Sequence, residues 1–379
     1  VDDSAVIRGL LSRVLGSDSE LTVVGTVANG EQAIEATRRH APDVVVLDIE
    51  MPVMDGLTAL PKILEVDPRV KVVMASTLTL RNADISLKAL ALGAADYIPK
   101  PTSATDIAGG YDFKRDLLAK VKALAAARRG DGRGVSGPRA GAVHPKARDE
   151  RRVDAATSAP SVYRGAAIRL RDMPALVPAV IAVGSSTGGP QALLKMVPQL
   201  GPLTQPILIT QHMPATFTTI LAEHLQKATG RPCAEAVDGE PVAGGRIYVA
   251  PGNHHLSVEI AGPGYAEGFA EARRRPVIRL SQSPPENFCR PAVDPMLRSL
   301  PKVYGRNVLA VILTGMGRDG LNGSEAVTAA GGAVIAQDEA TSIVWGMPGA
   351  VATAGLCSAV LPIDDIGPFV RKLAMRRAA

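Results

Sequence analysis

Three hydroxyls stand in a row at Ser185, Ser186 and Thr187, inside the stretch AVGSSTGGP at 182–190. The pentad GSSTG at 184–188 fits G-x-S-x-G with Ser186 at its centre, the pattern of a nucleophile carried on a tight strand-to-helix turn. Small flanking residues permit such a turn, and the amides that open the next helix would point at an oxyanion. A serine hydroxyl needs a base within hydrogen-bond reach. Of six histidines, His40 and His144 lie in the N-terminal half and a basic connecting segment, and His224 falls within a helical pattern. His212, which closes the apolar run PILITQH, is the best-placed base, with His254 and His255 after VAPGN as competitors. The base in turn needs a carboxylate to fix its tautomer. Asp319 closes VILTGMGRDG in a glycine-rich turn; Asp238, Asp294 and Asp338 are alternatives, but Asp294 stands between prolines and Asp338 in a turn-like QDEAT. A nicotinamide site is disfavoured, because the glycines run G-x-x-x-G-G and the next strand ends TQHMP without an acid.

A second group of residues lies near the start. Asp2 and Asp3 are adjacent, Asp48 ends the run DVVVLD, Ser76 ends VKVVMAS, and Lys100 precedes Pro101. On neighbouring parallel strands these side chains would share one crevice. Carboxylates so grouped need a cation, and an oxygen-only set suits Mg²⁺. A carboxylate there can accept a phosphoryl group, with Lys100 and the metal neutralising its oxygens and the Ser76 hydroxyl bonding the product.

Both groups require strands that end in one place. Apolar runs at 43–48 and 70–76, with helical patterns around 29–40, 57–66 and 84–92, predict a parallel sheet with crossover helices. Further runs at 178–184, 206–212, 245–251 and 307–315 predict a second such sheet. The fold expected is α/β, two doubly wound parallel-sheet domains, with chemistry at the strand carboxyl ends. Between them, 128–177 holds eleven Arg or Lys against five Asp or Glu and has no helical or strand period, which reads as a flexible basic linker. That segment accounts for the net charge of +5, and with aromatics at only 3% no base-stacking surface accompanies it, so nucleic acid is not an expected partner. Two uncharged stretches, 173–194 and 196–222, are long enough to span a membrane but are broken by prolines, and buried strands explain them better. Three distant cysteines form no CxxC pair, and together with the lack of a signal segment they point to the cytoplasm.

The blocks VDDSA, LDIEMPVMDG, VVMAST and ADYIPKP resemble the receiver domain of bacterial two-component response regulators, over residues 1–125. The resemblance implies a flavodoxin-like domain, phosphorylation of Asp48 by a histidine kinase, and Mg²⁺ held by Asp2, Asp3, Asp48 and the Glu50 carbonyl. It also implies a switch formed by Ser76, Tyr97 and Lys100. Receivers carry an apolar first strand before the acidic pair, whereas this sequence begins at Val1.

Beyond a linker at 126–177, residues 178–379 carry GSSTGGPQAL, ITQHMP, YVAPGNHHL, RPAVD, LTGMGRDG and QDEATSIVWGMP. These resemble the catalytic domain of the chemotaxis methylesterases, the CheB family. The resemblance implies a Rossmann-like esterase domain in which Ser186 is the nucleophile, His212 the general base and acid, and Asp319 the orienting carboxylate, with the Thr187 and Met316 amides as oxyanion donors. It implies hydrolysis of glutamate γ-methyl esters on methyl-accepting chemotaxis receptors, release of methanol, and deamidation of receptor glutamines. The esterase would need no cofactor, and a monomer is expected. Family members often carry alanine where Ser185 stands, so choosing Ser186 over Ser185 follows from motif register. The unphosphorylated receiver is expected to cover the esterase crevice.

Overall fold

Aliphatic runs bounded by polar turn residues become strands buried on both faces, and capped amphipathic segments become the helices that cover them. The computed structural model describes residues 1–77, 79–100, 111–131, 168–175, 177–261 and 275–376. Most of the expected linker lies outside the described residues.

The N-terminal domain runs α1 (Ala5–Leu15), α2 (Gly30–His40), β1 (Val44–Asp48), α3 (Gly56–Val66), β2 (Lys71–Ser76), α4 (Leu80–Ala91), β3 (Asp96–Pro99) and α5 (Tyr111–Asp131). Helix α5 continues past residue 125, where the linker was expected to begin. Side chains of Ser4, Asn29, Asp55 and Thr79 accept bonds from the first turns of α1 to α4. The three strands lie parallel in the order β1-β2-β3. On the free edge of β1 the Val1 amine donates to the Val46 carbonyl at 2.7 Å, and the Asp48 amide donates to the Val1 carbonyl at 2.9 Å. Those two bonds lay Asp2 beside Asp48. A cavity of about 420 Å³ lies along the same edge, between residues 22–27 and Val44–Val46.

The C-terminal domain contains β4 (Val180–Ser185), α6 (Gly189–Met196), β5 (Ile207–Gln211), α7 (Ala215–Thr229), β6 (Cys233–Glu235), β7 (Ile247–Val249), β8 (His255–Ile260), β9 (Pro276–Ser281), α8 (Val293–Tyr304), β10 (Val308–Ile312), α9 (Leu321–Ala329), β11 (Ala333–Gln337), α10 (Met347–Thr353), β12 (Ala359–Leu361) and α11 (Ile363–Ala374). Seven strands form a parallel sheet ordered β12-β11-β10-β4-β5-β7-β6, and β8 pairs with β9 as an antiparallel hairpin. From β4 the chain winds outward to β5, passes to edge strand β6 and steps back to β7 between them, then returns to β10 on the other side of β4 and winds outward through β11 to β12. The switch of direction therefore falls between β4 and its neighbour β10, which opens a crevice at their carboxyl ends.

Candidate active site

Ser186 leaves β4 directly above that crevice. Its amide donates to the Thr314 carbonyl at 3.0 Å, and its own carbonyl accepts from the Gly189 amide at 2.7 Å, which closes the turn into α6. Position 189 needs glycine, because a Cβ there would overlap the Gln211 side chain and press on Ser185. Ser185, whose role the motif alone did not define, is fully buried and donates through Oγ to Gln211 Oε1 at 2.6 Å. Gln211 then donates through Nε2 to the Ser186 carbonyl at 2.9 Å and more weakly to the His212 carbonyl at 3.3 Å. Ser185 and Gln211 thus tie the end of β4 to the end of β5, a function invisible in the pentad itself.

His212 follows β5, and its Nε2 lies 2.8 Å from Asp319 Oδ2. Asp319 is 1% exposed and accepts five hydrogen bonds: from His212, the Val293, Asp294 and Gly320 amides, and Asn287 Nδ2. The Val293 and Asp294 amides open α8, so the carboxylate sits on a helix N-terminus. Burial alone would raise the Asp319 carboxyl, but the His212 bond and charge and the two amides outweigh it and hold it below the ordinary range. Beside it Asp294 is pushed up to about 6, by burial first and by the Asp319 charge second. Asn287 Nδ2 bridges the two carboxylates at 3.1 Å each. With Nε2 committed to Asp319, only Nδ1 of His212 remains to serve a nucleophile. That nitrogen lies 3.3 Å from Cys289 Sγ. Burial would lower the imidazole, but the Cys289 sulfur and the Asp319 carboxylate beside it push it up to about 10.

The competing histidines are engaged elsewhere. His255 is buried, with Nε2 facing the Pro284 carbonyl at 3.1 Å and Nδ1 accepting from the Ala292 amide at 3.2 Å. His254 Nδ1 faces its neighbour's backbone, the Gly252 carbonyl. Of the expected oxyanion donors, Thr187 is buried and Met316 half-buried, and neither amide donates to a protein acceptor among the described residues. Thr314 braces this side: its hydroxyl donates to the Thr187 carbonyl at 2.9 Å, and its amide donates to Gln337 Oε1 at 2.8 Å.

The acidic group of the first domain also comes together. One carboxylate oxygen each from Asp2, Asp3 and Asp48 can be chosen so that all three lie within 4.8 Å of one another. Lys100 Nζ reaches Asp2 at 2.7 Å and Asp48 at 2.6 Å. Burial raises the Asp48 carboxyl more than Lys100 lowers it. Ser76 is buried at the end of β2 and accepts from the Ser86 hydroxyl at 3.1 Å, while the Glu50 side chain is exposed. A hard cation coordinated by oxygens matches this donor set.

Tyr97 does not stand at that corner's surface: its ring stacks on Phe217 of α7, centroids 4.2 Å apart and planes 8° from parallel. It belongs to a contact that joins the domains. Thr187 Oγ1, next to Ser186, donates to Asp96 Oδ2 at 2.8 Å; Gln191 donates to the Ala94 carbonyl at 2.7 Å; His224 lies 2.9 Å from Asp84. The first domain therefore packs against the rim of the crevice.

An acidic, lysine-braced parallel sheet joined to a second, doubly wound domain defines a response regulator with an α/β output domain. The profile of the response regulator receiver domain matches residues 1–109, and that of the CheB methylesterase matches residues 181–370. The chain is 57% identical to the protein-glutamate methylesterase/protein-glutamine glutaminase of group 2 operon of Rhodospirillum centenum, over all of this chain and 94% of that protein. It is 56% identical to the protein-glutamate methylesterase/protein-glutamine glutaminase of Azospirillum brasilense, over all of this chain and 92% of that protein. The Thermotoga maritima CheB methylesterase catalytic domain is 38% identical with a TM-score of 0.47, covering 52% of this chain and 98% of that one. The chain belongs to the CheB methylesterase family.

Proposed function

We propose that this chain is a phosphorylation-controlled protein-glutamate methylesterase and protein-glutamine glutaminase acting on chemotaxis receptors. The observation that carries the reading is the His212–Asp319 pair at 2.8 Å, set beside the Ser186 turn where the sheet reverses direction; the printed names of the full-length relatives supply the substrate class. Ser186 Oγ attacks the γ-carbonyl of a receptor methyl-glutamate and passes its proton to His212 Nδ1, since Nε2 is held by Asp319. Negative charge on the carbonyl oxygen is met by the Thr187 and Met316 amides. Collapse returns the proton to the departing methoxide and frees methanol. Water activated by His212 then opens the acyl-serine and leaves glutamate; with a glutamine side chain the leaving group is ammonia.

The receiver supplies the control. Asp48 accepts the phosphoryl group from a histidine kinase; Asp2, Asp3 and Asp48, with the Glu50 carbonyl, would hold a Mg²⁺ ion, which would supply positive charge to neutralise phosphoryl oxygens. Lys100, already paired with Asp48, takes the phosphoryl charge, and Ser76 and Tyr97 transmit it. The Thr187 hydroxyl, next to the nucleophile, donates to Asp96 of the receiver, which supports a reading in which the unphosphorylated receiver covers the crevice rim. On that reading, phosphorylation frees the rim for the receptor segment that carries the ester. The described residues contain no helix long and apolar enough to cross a membrane, and the enzyme works from the cytoplasm on the receptors' cytoplasmic parts.

Methanol release from methylated receptors tests the chemistry. Ser186→Ala should abolish it in a protein that still folds, and persistent release would remove Ser186 from the mechanism. Ser185→Ala should lower release without abolishing it, because that hydroxyl only steadies Gln211.

A further inference from the structure

The imidazole of His212 has one nitrogen left for Ser186, and a thiol already faces it. Cys289 comes from a short turn in which Glu286 and Cys289 exchange backbone bonds and Asn287 and Phe288 hold positive φ, a conformation that costs free energy at non-glycine residues. Each residue of this turn is used. Asn287 donates to Asp319, and Arg115 of α5 lies 4.6 Å over the Phe288 ring, so the turn links the receiver to the His–Asp pair. Cys289 is only partly buried, unlike the buried Cys233 and Cys357.

Resting on the esterase reading above, we infer that Cys289 is a positioning residue that sequesters Nδ1 of His212, so that the base is free for Ser186 only when the thiol withdraws. The proton arithmetic is simple. A neutral imidazole with Nε2–H donated to Asp319 accepts the S–H at Nδ1; an imidazolium donates from Nδ1 to a thiolate. Either form denies Nδ1 to the serine proton. The charged groups around the ring are Asp319 after β10, Cys289 on the turn, Asp294 beside Asp319 on α8, the Glu286–Arg298 pair behind the turn, and Lys120 of α5, whose charge acts on Cys289. The thiol's negative form favours protonated His212, and burial opposes it.

The test follows the His212 ring by NMR as a function of pH in the full chain, with Cys289→Ala, and with Cys289→Ser in case the alanine variant does not fold. Removing the thiol should move the His212 midpoint in C289A: loss of a thiolate charge lowers it by about 1 to 3 pH units, and loss of an S–H bond to Nδ1 raises it. The acid limb of kcat for methanol release should move with it, and kcat of the unphosphorylated chain should rise because Nδ1 is freed, while KM stays fixed. A midpoint and limb that coincide with wild type overturn the inference; should only C289S fold, its midpoint decides. Failure of the esterase reading is separable. Methanol release that survives Ser186→Ala would sink that reading, while the ring titration would still judge the thiol.

Discussion

Replacing Asp319 by Asn probes the site most directly, because the two groups differ by one atom and the structure states what each oxygen does. Oδ2 accepts from His212 Nε2 and from the Val293 amide at 2.6 Å, and Oδ1 accepts from the Asp294 and Gly320 amides and Asn287. An amide NH₂ in either place faces donors. If it takes the Oδ2 place it must donate to His212 Nε2, which moves the ring proton to Nδ1, the nitrogen that should receive the proton of Ser186. The base is then blocked by its tautomer rather than by its position. In serine proteases the equivalent change lowers kcat by about 10⁴, and each factor of ten is about 1.4 kcal/mol of barrier. We expect a loss of about 10³ to 10⁴ in kcat with KM little changed. Folding stability should fall as well, by about 1.5 to 3 kcal/mol for each charge-assisted bond that finds no substitute. Initial rates of methanol release, alongside urea unfolding of the same preparation, give both quantities. A folded D319N protein within tenfold of wild-type kcat would refute the assignment of Asp319 as the orienting carboxylate.

Other outcomes follow from the same geometry. Gln191→Ala removes a bond across the domain contact and nothing from the chemistry; at about 1 kcal/mol it should raise methanol release by the unphosphorylated protein about fivefold if closed molecules dominate, with no change after phosphorylation. Asp294 has a raised carboxyl pKa of about 6, so its ionisation disfavours the fold: stability is higher below the unfolded value near 3.8 and is lost as pH rises toward 6. In Asp294→Asn the stability measured by urea titration should lose that decline between pH 4 and 6.5; an unchanged slope would contradict the account. Gly189→Ala should displace Gln211 and lower both stability and kcat, read by thermal unfolding and methanol release. Asp48→Asn should remove kinase-dependent phosphate incorporation, whereas Asp3→Asn should raise the Mg²⁺ concentration required for it.

Much of the architecture was written in the sequence. Uncharged aliphatic runs such as VIAV, ILIT and VLAVI have little alternative to strands buried on both faces, and glycine-rich polar turns mark where each one ends. In a doubly wound sheet those ends converge, so the sequence predicts Ser186, His212 and Asp319, each beyond the end of its strand, in one crevice, and His212 and Asp319 do meet there. The acidic corner was legible for the same reason. Only the tertiary structure decided what surrounds them. Asn287, Cys289 and Asp294 reach the His–Asp pair from a turn and a helix whose approach depends on packing, and no periodicity encodes that approach. Ser185 looked redundant until Gln211, opposite it on the neighbouring strand, gave its hydroxyl an acceptor. Tyr97 found its partner ring in the other domain, more than a hundred residues away, where only docking of one fold on the other could place it. Strand ends are local consequences of composition; the partners of a buried polar atom are set by the whole chain's packing, because every such atom must find its bond somewhere.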